Sequence, residues 1–440
     1  MFAWLALASL VASCAALQQA ADYASRYDGV RVLRVPTGGQ ADALNALVDS
    51  YGLTRWDTRA THVDVQVPKD VYGDFADAVA SLGANATEGM EVMVMHEDLG
   101  ASIREESAGM AEFKRPEVSD QGLVGLVSDS WFLSYHSYAD HLQFLDDLVA
   151  TYPNNSATFT SGTSYEGNTI TGINIYGSGG SGSAPAVVIH GTVHAREWIA
   201  TMVTENFAYS LLANYTSGDE DTIGFLEKYD IYIIPNVNPD GFIYTQEEER
   251  LWRKTRDPPP SGSSCYGVDI NRNWPHASWN QSSGASTNPC AEDYKGPSAG
   301  STVEVQGLAA FLDERAKSSA GGKMYMDVHS YSQLFMSAYG WTCSQATVNA
   351  DELNALTSGF AEALGEVYGT EYDSGPICQT IYPVSGDSVD YAYDNSGIIY
   401  SFTPELRDTG RYGFVLPANQ ILPTSIETYA GLRYLLANMK

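Results

Sequence analysis

Ala186-Val-Val-Ile-His190-Gly-Thr-Val-His194-Ala-Arg-Glu197 is the segment from which the rest of the chain is best understood. Ala186 to His190 is a short apolar run of the kind that forms a buried strand, and the residues from about 198 to 214 carry a helical pattern. His194 and Glu197 stand three residues apart at the junction. Imidazole nitrogen and carboxylate oxygen both bind zinc, and three protein ligands with one open position mark a catalytic rather than a structural site. A third ligand is available at His329, just after the apolar run Met324 to Val328. His-x-x-Glu alone also describes an ordinary polar pair at a strand-to-helix junction, so its weight comes from the motifs around it.

Outward from this junction, strands at Ala186 to His190, Ile231 to Asn236, Met324 to Val328 and Ile398 to Thr403 alternate with helical stretches near 198–214, 302–316, 351–367 and 424–438. Ser137 to Ala150 reads as a further helix, with Ser137 as a possible cap and Asp140 three residues on. The alternation predicts an α/β fold with a mixed, mostly parallel sheet and helices on both faces. The candidate ligands and Glu405 then fall at or just beyond strand ends, where such sheets place their sites. Gly177 to Gly182 lacks the lysine of a phosphate loop and reads as a turn.

The N-terminal quarter has a different rhythm. Val30 to Val35, a helical pattern over 41–52, a short strand near 54–58, the alternating Thr61 to Val67, Val71, Phe75, Ala78, Val79 and Leu82 at helical spacing, and Val92 to Met95 spell β-α-β-β-α-β. That is a ferredoxin-like unit on an antiparallel sheet. A polar stretch, Arg104 to Asp120, leads out of it and contains Lys114-Arg115, a basic pair in the kind of exposed segment that proteases cut.

Bulk properties narrow the class. The chain has 440 residues, 44% hydrophobic and 18% charged, which suits two or three globular domains. The formal net charge of -30 argues against nucleic acid or anionic membrane as partners. Residues 1–16 are an apolar run too short to span a bilayer that ends in small residues, as secretory signal peptides do, although the usual basic start is missing. Val11-Ala-Ser-Cys14 also fits a bacterial lipid-attachment box. With Cys14 set aside, Cys265, Cys290, Cys343 and Cys378 remain, an even number that suggests two disulfides with three possible pairings. Sequons at Asn85, Asn154, Asn214 and Asn280 agree with a secretory route. The destination is then extracellular or, alternatively, a vacuolar or other secretory compartment, and a monomer is expected.

Further motifs follow in order: Arg250-Leu-Trp-Arg253-Lys-Thr-Arg256, Gly267-Val-Asp269-Ile-Asn271-Arg272-Asn273-Trp274, Asp327-Val-His329-Ser330-Tyr331-Ser332-Gln333, Thr380-Ile-Tyr382, and Ser401-Phe-Thr403-Pro-Glu405-Leu-Arg407-Asp408. From about Ser134 to the C-terminus this series resembles the secreted zinc carboxypeptidases of the A/B family. Over residues 22–115 the likeness is looser and matches the family's activation segment. Carboxypeptidase A is itself a standard example of a His₂Glu zinc site, so the ligand set is inherited from the likeness.

The resemblance implies one zinc held by His194, Glu197 and His329, Glu405 as general base, and Arg253 as the donor that stabilises the oxyanion. It implies Asp269 as the orienting partner of His194, and Arg272 with Asn271 and Tyr382 as the receptor for a free C-terminal carboxylate. Arg196, Arg250, Ser330, Tyr331 and Phe414 match neighbouring subsites. Met336, Gly340, Ile377, Val389 and Thr403 match the pocket for the terminal side chain, and the apolar Val389 stands where the Lys/Arg-specific branch carries an acid. Asp387, two residues before it, is a departure that would admit a basic residue if turned inward. The implied disulfides are Cys265 to Cys290 and Cys343 to Cys378. The implied organisation is a signal peptide at 1–16, an inhibitory prosegment at 17–103, a linker at 104–120 cut by an activating protease, and a catalytic domain at 121–440. Substrates are peptide and protein C-termini, preferably ending in aromatic or large aliphatic residues. An inactive peptide-binding relative would be expected to have lost a ligand, the base or the arginine; all are present.

Overall fold

In the computed structural model, residues 23–112, apart from 85 and 88, and residues 129–440 are described. The expected signal peptide and the Lys114-Arg115 pair lie outside them. The chain divides into two units, one of residues up to Glu112 together with Asp408–Pro417, the other of Phe113–Arg407 and Ala418–Lys440.

The first unit contains strands β1 (Arg31–Pro36), β2 (Thr54–Thr58), β3 (His62–Val67) and β4 (Met93–His96), with helices α1 (Ala41–Ser50) after β1 and α2 (Tyr72–Gly83) after β3. The sheet order is β2-β3-β1-β4, with every pairing antiparallel, as the β-α-β-β-α-β reading requires. Val35, Val63, Val65, Leu44, Val48 and Phe75 close its core between sheet and helices. The chain then continues as helix α3 (Leu99–Glu112), so the polar stretch expected to be linker from Arg104 is still helical. Its inward face is Leu99, Ile103 and Glu106, one side chain per turn, which is too sparse a stripe to stand out in so polar a segment.

The second unit is built on eight strands. In chain order its elements are α4 (Tyr138–Thr151), β5 (Ser156–Thr163), β6 (Thr169–Ile175), β7 (Ala186–Gly191), α5 (Trp198–Ser217), α6 (Glu220–Lys228), β8 (Asp230–Ile234), α7 (Pro239–Glu247), α8 (Val303–Ala316), β9 (Gly322–Ser330), β10 (Leu334–Ser337), α9 (Ala350–Tyr368), β11 (Asp373–Pro376), α10 (Ile377–Thr380), α11 (Ser388–Asp394), β12 (Tyr400–Leu406) and α12 (Ile421–Asn438). The sheet order is β11-β10-β12-β9-β7-β8-β6-β5. Its centre, β12-β9-β7-β8, is parallel, while β10 and β6 join antiparallel, so the sheet is mixed and mostly parallel. Every residue of β7 and β8 is buried, as strands covered on both faces should be. Helix α5 buries Trp198 to Ala208 almost continuously and ends at Gly218, whose φ of 86° supplies the left-handed cap. Ser137 caps α4 by accepting from Asp140 N, as its position predicted.

Among the boundaries that differ from the sequence reading, two lie in the central sheet beside the site. The strand expected at Ile398 to Thr403 is β12, Tyr400–Leu406, because pairing to β9 continues through Glu405 opposite His329 and Leu406 opposite Ser330. Glu405 therefore lies within the strand and not past its end. The strand expected at Ile231 to Asn236 ends at Ile234, and Pro235 begins the turn that follows.

Candidate metal centre and active site

The parallel strands β7 and β9 run side by side and deliver their following residues to one edge of the sheet. His194 comes from the turn after β7, Glu197 immediately precedes α5, and His329 sits near the end of β9. One ligand atom from each of His194, Glu197 and His329 lies within 4.8 Å of the others, and all three residues are buried. The inward atoms are Nδ1 of both histidines, 3.1 Å apart, with His194 Nδ1 2.8 Å from Glu197 Oε1 and His329 Nδ1 3.1 Å from Glu197 Oε2. Two imidazoles and a carboxylate converging this closely are the donor set that zinc takes.

The outward nitrogens are engaged as well. His194 Nε2 lies 3.2 Å from Asp269 Oδ1, the partner expected from the sequence. His329 Nε2 lies 3.0 Å from Asp327 Oδ1, a partner the sequence reading did not assign. Asp327 is two residues before His329 on the same strand, so the period of two puts both side chains on one face. That alternation was the available signal. His190, near the end of β7, places Nε2 2.5 Å from Tyr325 Oη and Nδ1 3.3 Å from Asp327 Oδ1.

Arg253 donates to Asp269 Oδ2 from Nε at 3.2 Å and Nη2 at 2.8 Å, while its Nη1 makes no hydrogen bond among the described residues. Burial alone would raise the Asp269 carboxyl, but Arg253 and His194 hold it well below the usual carboxylate range. Burial would likewise lower Arg253, and Asp269 and Glu197 outweigh it and hold the guanidinium above its ordinary pKa. The pair is thus locked in its charged form, with one guanidinium edge left for a ligand.

Asn271 and Arg272 follow Asp269 on a short 3₁₀ turn that Asp269 caps. Asn271 Nδ2 lies 3.3 Å from His329 Nε2, and Asn271 Oδ1 accepts from Ser388 N at 2.9 Å. Arg272 is buried, donates Nη1 to its neighbour's carbonyl, and has a buried Nε with no partner among the described residues. An orphaned buried guanidinium N–H is costly without a ligand to accept from it. Tyr382 is 36% exposed.

The remaining expected residues divide. Met336 on β10 faces Thr403 on β12 in register, and Thr403 Oγ1 donates to Asp327 O at 2.8 Å. A Cβ built on Gly340 would stand 3.3 Å from Ile377 Cγ2, Val389 is buried, and Gly340 N donates to Asp390 Oδ1 at 3.0 Å. Ser330 N donates to Glu197 Oε2 at 3.2 Å, and Tyr331 is buried beside it. Arg196 reaches Glu292 at 3.1 Å. Arg250 is fully buried, with its guanidinium 3.8 Å over the Trp198 ring. Phe414 belongs to the first unit, its ring centroid 5.4 Å from that of Trp56. Both expected disulfides, Cys265–Cys290 and Cys343–Cys378, are formed.

A mostly parallel sheet carrying a His₂Glu cluster at the strand ends defines a metallohydrolase of the zinc exopeptidase kind. The zinc carboxypeptidase family model matches residues 141–431, and the chain belongs to that family: it is a peptide hydrolase that uses one catalytic zinc. It is 43% identical over 419 residues to a metallocarboxypeptidase A-like protein of Trichophyton verrucosum, covering 94% of each chain. To carboxypeptidase A4 of Mus musculus it is 36% identical, again over 94% of each. Among solved structures, thrombin activatable fibrinolysis inhibitor superposes with a TM-score of 0.82 at 27% identity, over 93% of this chain and 98% of that one. Carboxypeptidase A of Helicoverpa armigera gives 0.76 at 25% identity, over 94% and 98%.

Proposed function

We propose that the protein is a secreted zinc carboxypeptidase, made as an inactive precursor, that removes aromatic and large aliphatic residues from the C-termini of peptides and proteins. The observation that carries this reading is the convergence of His194, Glu197 and His329 with Glu405 paired opposite His329 on the adjoining strand.

His194, Glu197 and His329 hold the metal, and Asp269 and Asp327 fix the orientation of the two imidazoles through their outer nitrogens. Zinc bound there supplies polarisation of the scissile carbonyl and a lowered pKa for water. Glu405 takes a proton from the attacking water and passes it to the leaving amine, a role typically contributing about 10²- to 10⁴-fold in rate. Arg253, held by Asp269, presents Nη1 to the carbonyl oxygen as negative charge develops, an interaction typically worth ~2.7 to 4 kcal/mol. Arg272 receives the substrate's terminal carboxylate with its uncommitted N–H groups, assisted by Asn271 and Tyr382. That receptor makes the enzyme an exopeptidase, because an amidated terminus offers no anion to the guanidinium. The side chain of the departing residue enters the pocket of Met336, Gly340, Ile377, Val389 and Thr403, where burial of a Phe side chain contributes roughly 1.5 to 3 kcal/mol.

The N-terminal unit acts as the inhibitory prosegment, and an activating protease separates it at the linker. The test is the activated protein on matched peptides ending in Phe or Leu, with the terminus free or amidated. Release of the terminal residue from the free acids alone is expected; equal cleavage of the amides removes the carboxylate receptor from the account.

A further inference from the structure

Asp387 brings an acid beside Gly340 and Ile377, and one of its oxygens has no hydrogen-bond partner among the described residues. The residue is 2% exposed and caps the helix Ser388–Asp394, its Oδ1 accepting from Asp390 N at 3.0 Å. Its Oδ2 is buried and has no hydrogen-bond partner among the described residues. A Cβ built on Gly340 would stand 3.3 Å from Asp387 Oδ2, 3.3 Å from Ile377 Cγ2 and 2.4 Å from Val384 Cγ2. The glycine thus borders the same small space as the unpaired oxygen and the apolar wall.

The turn that carries Asp387 is rigidly placed. Gly386 has φ +67°, a conformation side chains rarely adopt, and a Cβ there would lie 2.4 Å from the Arg272 carbonyl. Trp274 N donates to Gly386 O at 2.9 Å, and Ser388 N donates to Asn271 Oδ1 at 2.9 Å. One braced assembly therefore holds both the receptor proposed for the substrate carboxylate and the acid beside Gly340.

Asp390 is fully buried and accepts from Gly340 N at 3.0 Å and Trp341 N at 2.8 Å. Burial, and then the charge of Asp387 and a side-chain hydrogen bond with it, raise its carboxyl well above the usual range. Among the described residues no Lys, Arg or His pairs with either. A buried carboxylate without a cation is costly, and a ligand that brings the cation relieves that cost.

We propose that Asp387 gives the terminal-residue pocket a second specificity, for C-terminal Lys and Arg, beside the apolar residues that Met336, Ile377 and Val389 favour. The inference rests on the exopeptidase reading above. The alkyl stem of Lys or Arg lies along the apolar walls while its cation meets Asp387 Oδ2.

The experiment compares kcat/KM of the activated holoenzyme on blocked dipeptides ending in Phe, Leu, Arg and Lys, for the wild type, Asp387→Asn and Asp387→Ser. Asn and Ser are both strong helix caps, so each substitution removes the charge and keeps the cap. The wild type is expected to take Arg or Lys within about 100-fold of Phe. The Arg/Phe ratio is expected to fall about 10- to 100-fold in both variants, the scale of one hydrogen bond to a charged group. An unchanged ratio in the variants, or wild-type Arg and Lys hydrolysis more than about 1,000-fold below Phe, overturns the proposal and leaves Asp387 a helix cap. If neither variant folds, the wild-type profile alone decides. Failure to release any terminal residue would instead reject the exopeptidase reading.

Discussion

Glu304 shows how a single buried acid sets a pH limit far from the chemistry. It stands in the first turn of α8, fully buried, with Oε1 accepting from Tyr165 N at 2.9 Å and Oε2 without a partner among the described residues. A helix N-terminus favours a carboxylate, but burial outweighs it and, with the nearby charge of Asp257, lifts the Glu304 carboxyl from 4.5 to about 7. A carboxyl raised on folding contributes stability that is complete below its unfolded pKa and lost as pH rises through its folded one. The window is therefore about pH 4.5 to 7, and the loss is on the order of 3 kcal/mol. Glu304→Gln keeps the bond from Tyr165 and has no charge to bury. Chemical denaturation at pH 5 and pH 8 is expected to show a smaller loss in the variant than in the wild type, and identical losses would refute the assignment.

At the scale of elements, legibility followed burial. The buried strands β7 and β9 and the long helices α5, α8 and α9 were evident because apolar runs and helical spacing are strongest where an element is covered on both sides. The edge hairpin β5–β6 was not read, since Ser156 to Thr163 is mostly small and hydroxyl side chains that carry little hydropathic contrast. Strand β10 spans only Leu334 to Ser337, shorter than any periodicity can identify. The residues proposed as ligands, base and carboxylate receptor were singled out through ordered motifs, not through local physics. Asp327 was missed as the His329 partner because a second acid near a ligand gains meaning only when the strand's alternation aims it. Asp387 stood out in the sequence as a departure, but that its Oδ2 lacks a hydrogen-bond partner among the described residues was visible only in the fold.

The chain carries two separately built sheets. The N-terminal unit includes Asp408–Pro417, a segment that begins three residues after Glu405. Within that unit His96 Nε2 lies 2.8 Å from Tyr412 O, Arg411 Nη1 donates to Met95 O at 2.5 Å, and Trp56 meets Phe414. Because α3 is helical to Glu112, the proposed activation cut is placed beyond it, at Lys114-Arg115. Full-length protein is expected to gain activity by an order of magnitude or more on cleavage there. Equal activity before and after the cut would contradict the precursor assignment, and activation unaffected by replacing both basic residues would move the cut elsewhere.

The central claim is that His194, Glu197 and His329 hold the metal while Glu405 moves the proton. It is tested most directly by measuring zinc content and kcat on one preparation of activated Glu405→Gln. The amide keeps the shape of the side chain and accepts no proton from water at neutral pH, so a full equivalent of zinc with kcat lowered about 10²- to 10⁴-fold is predicted. Zinc retained with kcat close to the wild type would contradict the account.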